Sequence, residues 1–125
     1  MYYRIHVHYA SPTTGQPVGV FAAMHHLKRA GRLTVEEEAL FTTINNWFKQ
    51  CLPNPPFYQD GNSIGAVTWF KETALDMMRE LEPLIAILRK YGVQVSVAEH
   101  QEPGRVIYED DYQVGVIEDI MAEMP

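Results

Sequence analysis

The chain opens with a regular alternation of apolar and polar side chains over residues 2–9. Its odd-numbered positions are apolar and share one side of an extended strand: Tyr3, Ile5, Val7 and Tyr9. The even-numbered positions Arg4, His6 and His8 share the other side. The pattern predicts a β-strand with one side in the core and an opposite side that is basic and polar.

Two later segments have the apolar period of an α-helix. The first helix is predicted over residues 17–30, because Pro17 suits the first helical position and Gly31 suits the left-handed end. The second is predicted over residues 73–91 and carries enough apolar positions to be the main core helix. Pro83 lies inside it, so this helix is expected either to bend or to divide into two.

Another helix is predicted between these two. Thr34 and Glu37 have the spacing of a capping box, which marks its start, and Pro53 ends it. Its apolar positions recur at helical spacings and are expected to face inward: Leu40, Ile44, Trp47, Phe48 and Cys51. We interpret the three glutamates of its first turn, residues 36–38, as solvated side chains favoured by the helix dipole rather than as a metal-binding cluster.

Alternating or β-branched segments predict further strands in the second half: residues 66–70, 93–98, 106–108 and 112–117. A continuous last strand would place the Asp110 carboxylate on its apolar side, where burial is costly. We therefore expect residues 109–111 to form a turn or a bulge.

The order of these elements predicts a single domain of the α+β class over residues 1–125. A mostly antiparallel sheet of four to five strands, with about three helices packed on one face, satisfies the pattern because most strands alternate. The opposite sheet face is expected to be partly open. Residues 118–125 are expected to form a short acidic helix or a frayed tail.

The charge distribution argues against a nucleic-acid ligand. The net charge is −6, and residues 63–125 carry five Lys or Arg against twelve Asp or Glu. An acidic surface repels a phosphate backbone, so direct binding to nucleic acid is not expected.

Cysteine content and hydropathy predict a cytoplasmic location. The single cysteine, Cys51, excludes an internal disulfide, and no stretch approaches the roughly 20 apolar residues that cross a bilayer. The first residues have neither a basic leader nor a small-residue cleavage site. We therefore expect a cytoplasmic protein without membrane contact.

Two segments have a recognisable pattern, residues 67–71 (VTWFK) and residues 103–114 (PGRVIYEDDYQV). They resemble a pattern that recurs in an uncharacterised family of small bacterial proteins. The resemblance implies a small bacterial α+β domain with a well-defined C-terminal hairpin, and it implies no activity.

His6 and His8 are the residues with the clearest chemical potential. Two imidazoles roughly 6–7 Å apart on one side of a strand can share a metal or act together on a phosphate or carbonyl group. A third ligand has to come from elsewhere in the fold, and no spacing demands one, so no cofactor is predicted. The glycines form no nucleotide-binding loop, and the Gly-x-Ser-x-Gly motif of hydrolases is missing.

Two further segments are candidate contact surfaces. The proline-rich residues 53–58 form a stiff loop in which Phe57 and Tyr58 are aromatic anchors. An alternative role for Phe57 is to cover the end of the core. The acidic triplet Glu109, Asp110 and Asp111 is the second surface.

Three hypotheses for function follow. The preferred one is a non-enzymatic protein-binding module, such as a small inhibitor, adaptor or accessory factor, that also associates with itself through its open sheet face. The first alternative is a metal- or acid-base-dependent enzyme, in which Arg4 holds an anion while His6 or His8 transfers a proton. The second is an acidic mimic of nucleic acid built on the triplet.

Overall fold

The computed structural model describes residues 1–59 and 61–117. Within these residues the chain forms six strands and four α-helices. The strands are β1 (Tyr2–Ala10), β2 (Pro17–Gly19), β3 (Val67–Lys71), β4 (Val95–His100), β5 (Arg105–Glu109) and β6 (Gln113–Ile117). The helices are α1 (Val20–Arg29), α2 (Val35–Cys51), α3 (Leu75–Arg79) and α4 (Glu82–Lys90). The predicted acidic tail, residues 118–125, lies outside the described residues.

The strands form one antiparallel sheet. One edge of β1 pairs with β4, while its other edge pairs with β3 near Tyr2 and with β2 from His6 onward. Beyond β3 the sheet continues through β6 to β5. The order is therefore β4-β1-β3-β6-β5, with β2 next to β3 along β1. The α+β class and the mostly antiparallel sheet are confirmed.

All four helices contribute to one hydrophobic core on the side of the sheet that carries Ile5 and Val7. Their side chains in this core include Val20, Met24, Phe41, Phe48, Met78, Leu84 and Leu88. We name this side the helix face, and the opposite side, which carries Arg4, His6 and His8, the histidine face. The prediction that the helices pack on one face is confirmed.

The predicted long helix is divided in two. Helix α3 ends at Arg79 and α4 begins at Glu82, with Pro83 in the first turn of α4. Proline fits there because the first N–H groups of a helix have no partner within it. The described residues thus contain four helices instead of about three.

The prediction that the first helix begins at Pro17 is wrong. Residues 17–19 form β2, which pairs with the second half of β1, and α1 begins at Val20. Proline tolerates this position because a short strand at the edge of a sheet leaves part of its N–H row unpaired.

The inward side of α2 is rotated relative to the predicted stripe. Phe41 and Phe48 are buried, whereas Leu40 and Trp47 are 41 % and 38 % exposed. Two rows of apolar side chains run along this helix, and the row that contains Phe41 packs into the core.

Glu37 is not solvated, contrary to the interpretation of the glutamates as surface side chains. It is 9 % exposed, forms the capping box with Thr34, and accepts hydrogen bonds from Lys90 and from the Tyr91 hydroxyl. The bond from the Thr34 N–H, followed by those from Tyr91 and Lys90, lowers the pKa of Glu37 to about 2. This carboxylate joins the start of α2 to the end of α4.

The connection between β4 and β5 requires a strongly coiled sheet. β4 ends beside Tyr2, whereas β5 begins beside Ile117 at the other edge and the other end of the sheet. The five peptide steps from His100 to Arg105 span at most about 17 Å. In a flat sheet the two edges lie about 19 Å apart even before the length of the strands is counted. The edges must therefore approach each other.

The coil closes part of the histidine face. Val114 and Val116 lie on this face, paired with Trp69 and Val67. They are 0 % and 1 % exposed and do not belong to the core cluster of the helix face. Gly104 rests against the same place, since a Cβ there would lie 2.6 Å from the Ile117 carbonyl oxygen. The face is closed along β6 and open at His8, which agrees with the partly open face that we predict.

Candidate functional site

The histidine face of β1 places Arg4, His6 and His8 in one row. β4 supplies one flank, with Ser96 opposite His6 and Ala98 opposite Arg4. β2 supplies the other flank, with Gly19 opposite His6. The site is therefore built on paired strands.

The two histidines lie close together and differ in their hydrogen bonds. Their rings are stacked, with centroids 5.8 Å apart. His6 Nδ1 donates to the Val7 carbonyl over 2.8 Å, which leaves Nε2 as the unprotonated nitrogen of the neutral ring. His8 Nε2 and the Ser96 hydroxyl are 2.6 Å apart and share a hydrogen bond.

Ser96 is a site residue that sequence reasoning missed. Ser96 alternates with Val95 and Val97 along β4, which puts its side chain on the opposite side of the strand from these valines. Its neighbour in space, His8, is 88 positions away along the chain. The pairing of β1 with β4 decides this contact, and no local signal carries that pairing.

Arg4 is the most unusual charged residue of the face. It is half-buried, and burial lowers its pKa, with the nearby Tyr58 acting in the opposite direction. Among the residues that the structure describes, none forms a hydrogen bond or an ion pair with its guanidinium. Because the side chain is partly buried, water replaces the missing acceptors less fully than it does for an exposed arginine.

A second donor without an acceptor lies beside Arg4. The register of β1 and β3 pairs Tyr3 with Phe70, so one further step places Trp69 next to Arg4 on the histidine face. The Trp69 Nε1 atom is buried without a hydrogen-bond partner among the described residues. This part of the face therefore has an excess of N–H donors.

No metal site accompanies these residues in the described part of the chain, and the depression beside His8 is open. No group of three His, Cys, Asp or Glu side chains is placed to hold a metal ion in residues 1–59 and 61–117. An open depression of about 420 Å³ borders His8 and is lined on its other sides by Arg89 and residues 92–95. The histidines thus face an accessible surface.

The two aromatic residues of the proline-rich loop, Phe57 and Tyr58, have different environments. Phe57 packs against the backbone of Gly115, where a Cβ would lie 2.6 Å from its ring, and meets Tyr108 edge-on. The Gln113 side chain donates to the Pro53 carbonyl over 2.8 Å and fixes the start of the loop. Phe57 thus covers the sheet, whereas Tyr58 is 40 % exposed.

The acidic triplet is largely engaged within the protein. Glu109 pairs with Lys71. The Asp110 carboxylate accepts bonds from the Tyr108 hydroxyl, the Gln113 side chain and two backbone N–H groups. Partial burial raises its pKa, but these bonds prevail and lower it. The predicted turn is present but shifted by one residue, since Glu109 ends β5 and the turn is formed by residues 110–112. Asp111 is exposed, and its carboxylate forms no bond to a described residue.

Comparison of the chain with protein-family models, curated proteins and solved structures gives no match. None of the helices in the described residues is long and apolar enough to span a membrane. The geometry of the histidine face is therefore the basis for a proposal of function.

Proposed function

We propose that the chain is a non-enzymatic protein-binding module of the cytoplasm, and that its partner presents an acidic side chain to Arg4. The observation that carries this proposal is that Arg4 is half-buried while its guanidinium has no acceptor among the described residues. A carboxylate from a partner offsets the cost of its burial and forms a charge-assisted pair.

The surroundings of Arg4 suit a protein surface. Tyr58 is exposed and close enough to influence the Arg4 pKa, and the loop that holds it is fixed by Gln113. Arginine and tyrosine are enriched among the residues that dominate binding at interfaces, and a rigid loop loses little entropy on association. His8 extends the same surface toward an open edge of the sheet.

The test is a quantitative affinity purification from the source organism with matched variants. We expect Arg4→Ala to recover at least about tenfold less of the partner than the wild type does, because this change removes one half of a desolvated charge pair. Arg105→Ala is the control, since Arg105 is exposed on β5. Equal recovery by the Arg4 and Arg105 variants, or no partner above background, would contradict the proposal.

The contact between His8 and Ser96 favours one second candidate, an acid-base enzyme. Its atoms have the geometry of a nucleophile and its general base, and Arg4 lies on the same face to hold an anionic substrate. The structure gives His8 no carboxylate partner among the described residues, so the third member of a triad is not in place.

A fluorophosphonate probe distinguishes the enzyme from the binding module. In an active site the Ser96 oxygen attacks phosphorus, fluoride leaves and His8 takes the hydroxyl proton. Labelling of Ser96 that disappears in His8→Ala would favour the enzyme. Ser11 and Ser63 are the controls, since neither forms a hydrogen bond with a histidine among the described residues. Labelling of Ser96 no faster than that of these two serines would rule out the enzyme.

A further inference from the structure

The strands at the edges of the sheet differ in how they are protected. β2 has only three residues and begins with Pro17, and both features discourage an added strand. β4 pairs with β1 over six consecutive residues without irregularity, and no other described strand pairs with β4. β5, at the opposite edge, has a bulge between Val106 and Tyr108. Bulges protect an edge from additional strands, whereas a regular edge is open to them. The edge of β4 is therefore the one suited to accept another strand.

The middle of β4 carries an apolar side chain that its own chain leaves uncovered. Val97 lies opposite Ile5 on the helix face, yet it is 54 % exposed, whereas Ile5 is 7 % exposed. A β-branched residue at the centre of an open edge gains burial and cross-strand packing when a second strand is added.

The charges at the two ends of β4 are complementary. Arg89 Nη2 lies 3.4 Å from the Val95 carbonyl oxygen, at the beginning of the strand, and Glu99 lies near its end. An antiparallel pair of β4 strands centred on Val97 places Val95 of one copy opposite Glu99 of the other. Each Arg89 then meets a Glu99 of the second copy, and two-fold symmetry forms this contact twice.

The open depression beside β4 agrees with the same arrangement. It is lined by His8 and Arg89 together with residues 92–95, which lead into the strand. In the antiparallel pair, the residues of the second copy around Glu99 approach this depression. Its basic lining therefore faces an acidic side chain of the second copy.

We propose that two copies of this chain join through their β4 strands, so that one sheet continues across a two-fold axis at Val97. Self-association then occurs at a sheet edge rather than through the open sheet face, and it leaves Arg4 free for another protein. A six-residue edge gives an interface at the small end of specific contacts, below about 1,200 Å², so the dimer depends on protein concentration.

Sedimentation velocity over a range of concentrations tests the proposal. We expect a monomer–dimer equilibrium in the wild type and a dissociation constant raised at least about tenfold in Val97→Lys, because a charge in an edge strand opposes pairing. Val106→Lys is the matched control, since Val106 is 46 % exposed on the opposite edge strand. Circular dichroism confirms that both variants are folded.

Charge exchange provides a second test that leaves the apolar residues intact. Glu99→Arg and Arg89→Glu each place like charges together and are expected to weaken the dimer, whereas the double variant restores it. A wild type that is monomeric at all concentrations would overturn the proposal. Dissociation by Val106→Lys instead of Val97→Lys, or two single charge variants without effect, would overturn it as well.

Discussion

At the scale of single residues, Glu37 joins two elements that lie far apart in the sequence. The capping box with Thr34 was predictable because both residues lie within four positions. The bonds from Lys90 and Tyr91 were not predictable, since they depend on the end of α4 packing against the start of α2. Local signals therefore identified the cap and missed its second function.

Glu37 should make stability depend on pH. The pKa of Glu37 is about 2 in the folded chain, against an ordinary value of 4.5 that applies to the unfolded chain. Its contribution to the free energy of unfolding is therefore complete above pH 4.5 and is lost as the pH falls toward 2. We expect Glu37→Gln to lower the free energy of unfolding at neutral pH and to flatten its decline over this window. Urea unfolding at several pH values measures both effects. Glu36→Gln is the control, because Glu36 is exposed, and an identical pH profile for both variants would contradict the account.

Gly115 illustrates how a small residue positions a loop. A Cβ at this position would lie 2.6 Å from Phe57 Cε1 and 3.2 Å from the Tyr108 Cβ. We expect Gly115→Ala to cost about 1–3 kcal/mol of unfolding free energy, because the ring must move. In a Phe57→Ala background the same change should cost much less. Equal costs in both backgrounds, measured by denaturant unfolding, would show that the ring is not the obstacle.

At the scale of elements, the sequence predicted those whose signals are local and consistent. The alternation of β1 identified its two sides, and the capping box identified the start of α2. The predicted helix start at Pro17 was wrong because proline is accepted both in the first turn of a helix and in an edge strand. The prediction for the inward side of α2 was wrong because Leu40 and Phe41 are adjacent and both apolar. The sequence alone therefore does not decide which of the two packs into the core.

The β5–β6 turn depends on one carboxylate of the acidic triplet. Asp110 accepts bonds from two backbone N–H groups and two side chains, whereas Asp111 points into solvent. We expect Asp110→Ala to lower the free energy of unfolding by about 1–3 kcal/mol. Asp111→Ala should change it by less than about 0.5 kcal/mol. Chemical denaturation of both variants checks this difference, and equal values would contradict the role assigned to Asp110.

At the scale of the whole molecule, the candidate site arises from strand pairing and from the coil of the sheet. The sequence placed Arg4, His6 and His8 on one side of β1, because strand periodicity requires it. The neighbours of these residues, Ser96 and Trp69, come from β4 and β3 and depend on tertiary register. The lack of an acceptor for Arg4 within residues 1–59 and 61–117 likewise depends on the fold.

We propose that the histidine face stays open to a partner, because the helices of the described residues pack on the other side of the sheet. The most direct measurement is the rate at which diethyl pyrocarbonate acylates each histidine, followed by mass spectrometry at fixed protein concentration with and without the recovered partner. His8 is exposed on the histidine face, and His25 is exposed on α1. We predict that the bound partner slows acylation of His8 and leaves that of His25 unchanged. Protection of His25 with His8 still reactive would contradict the account.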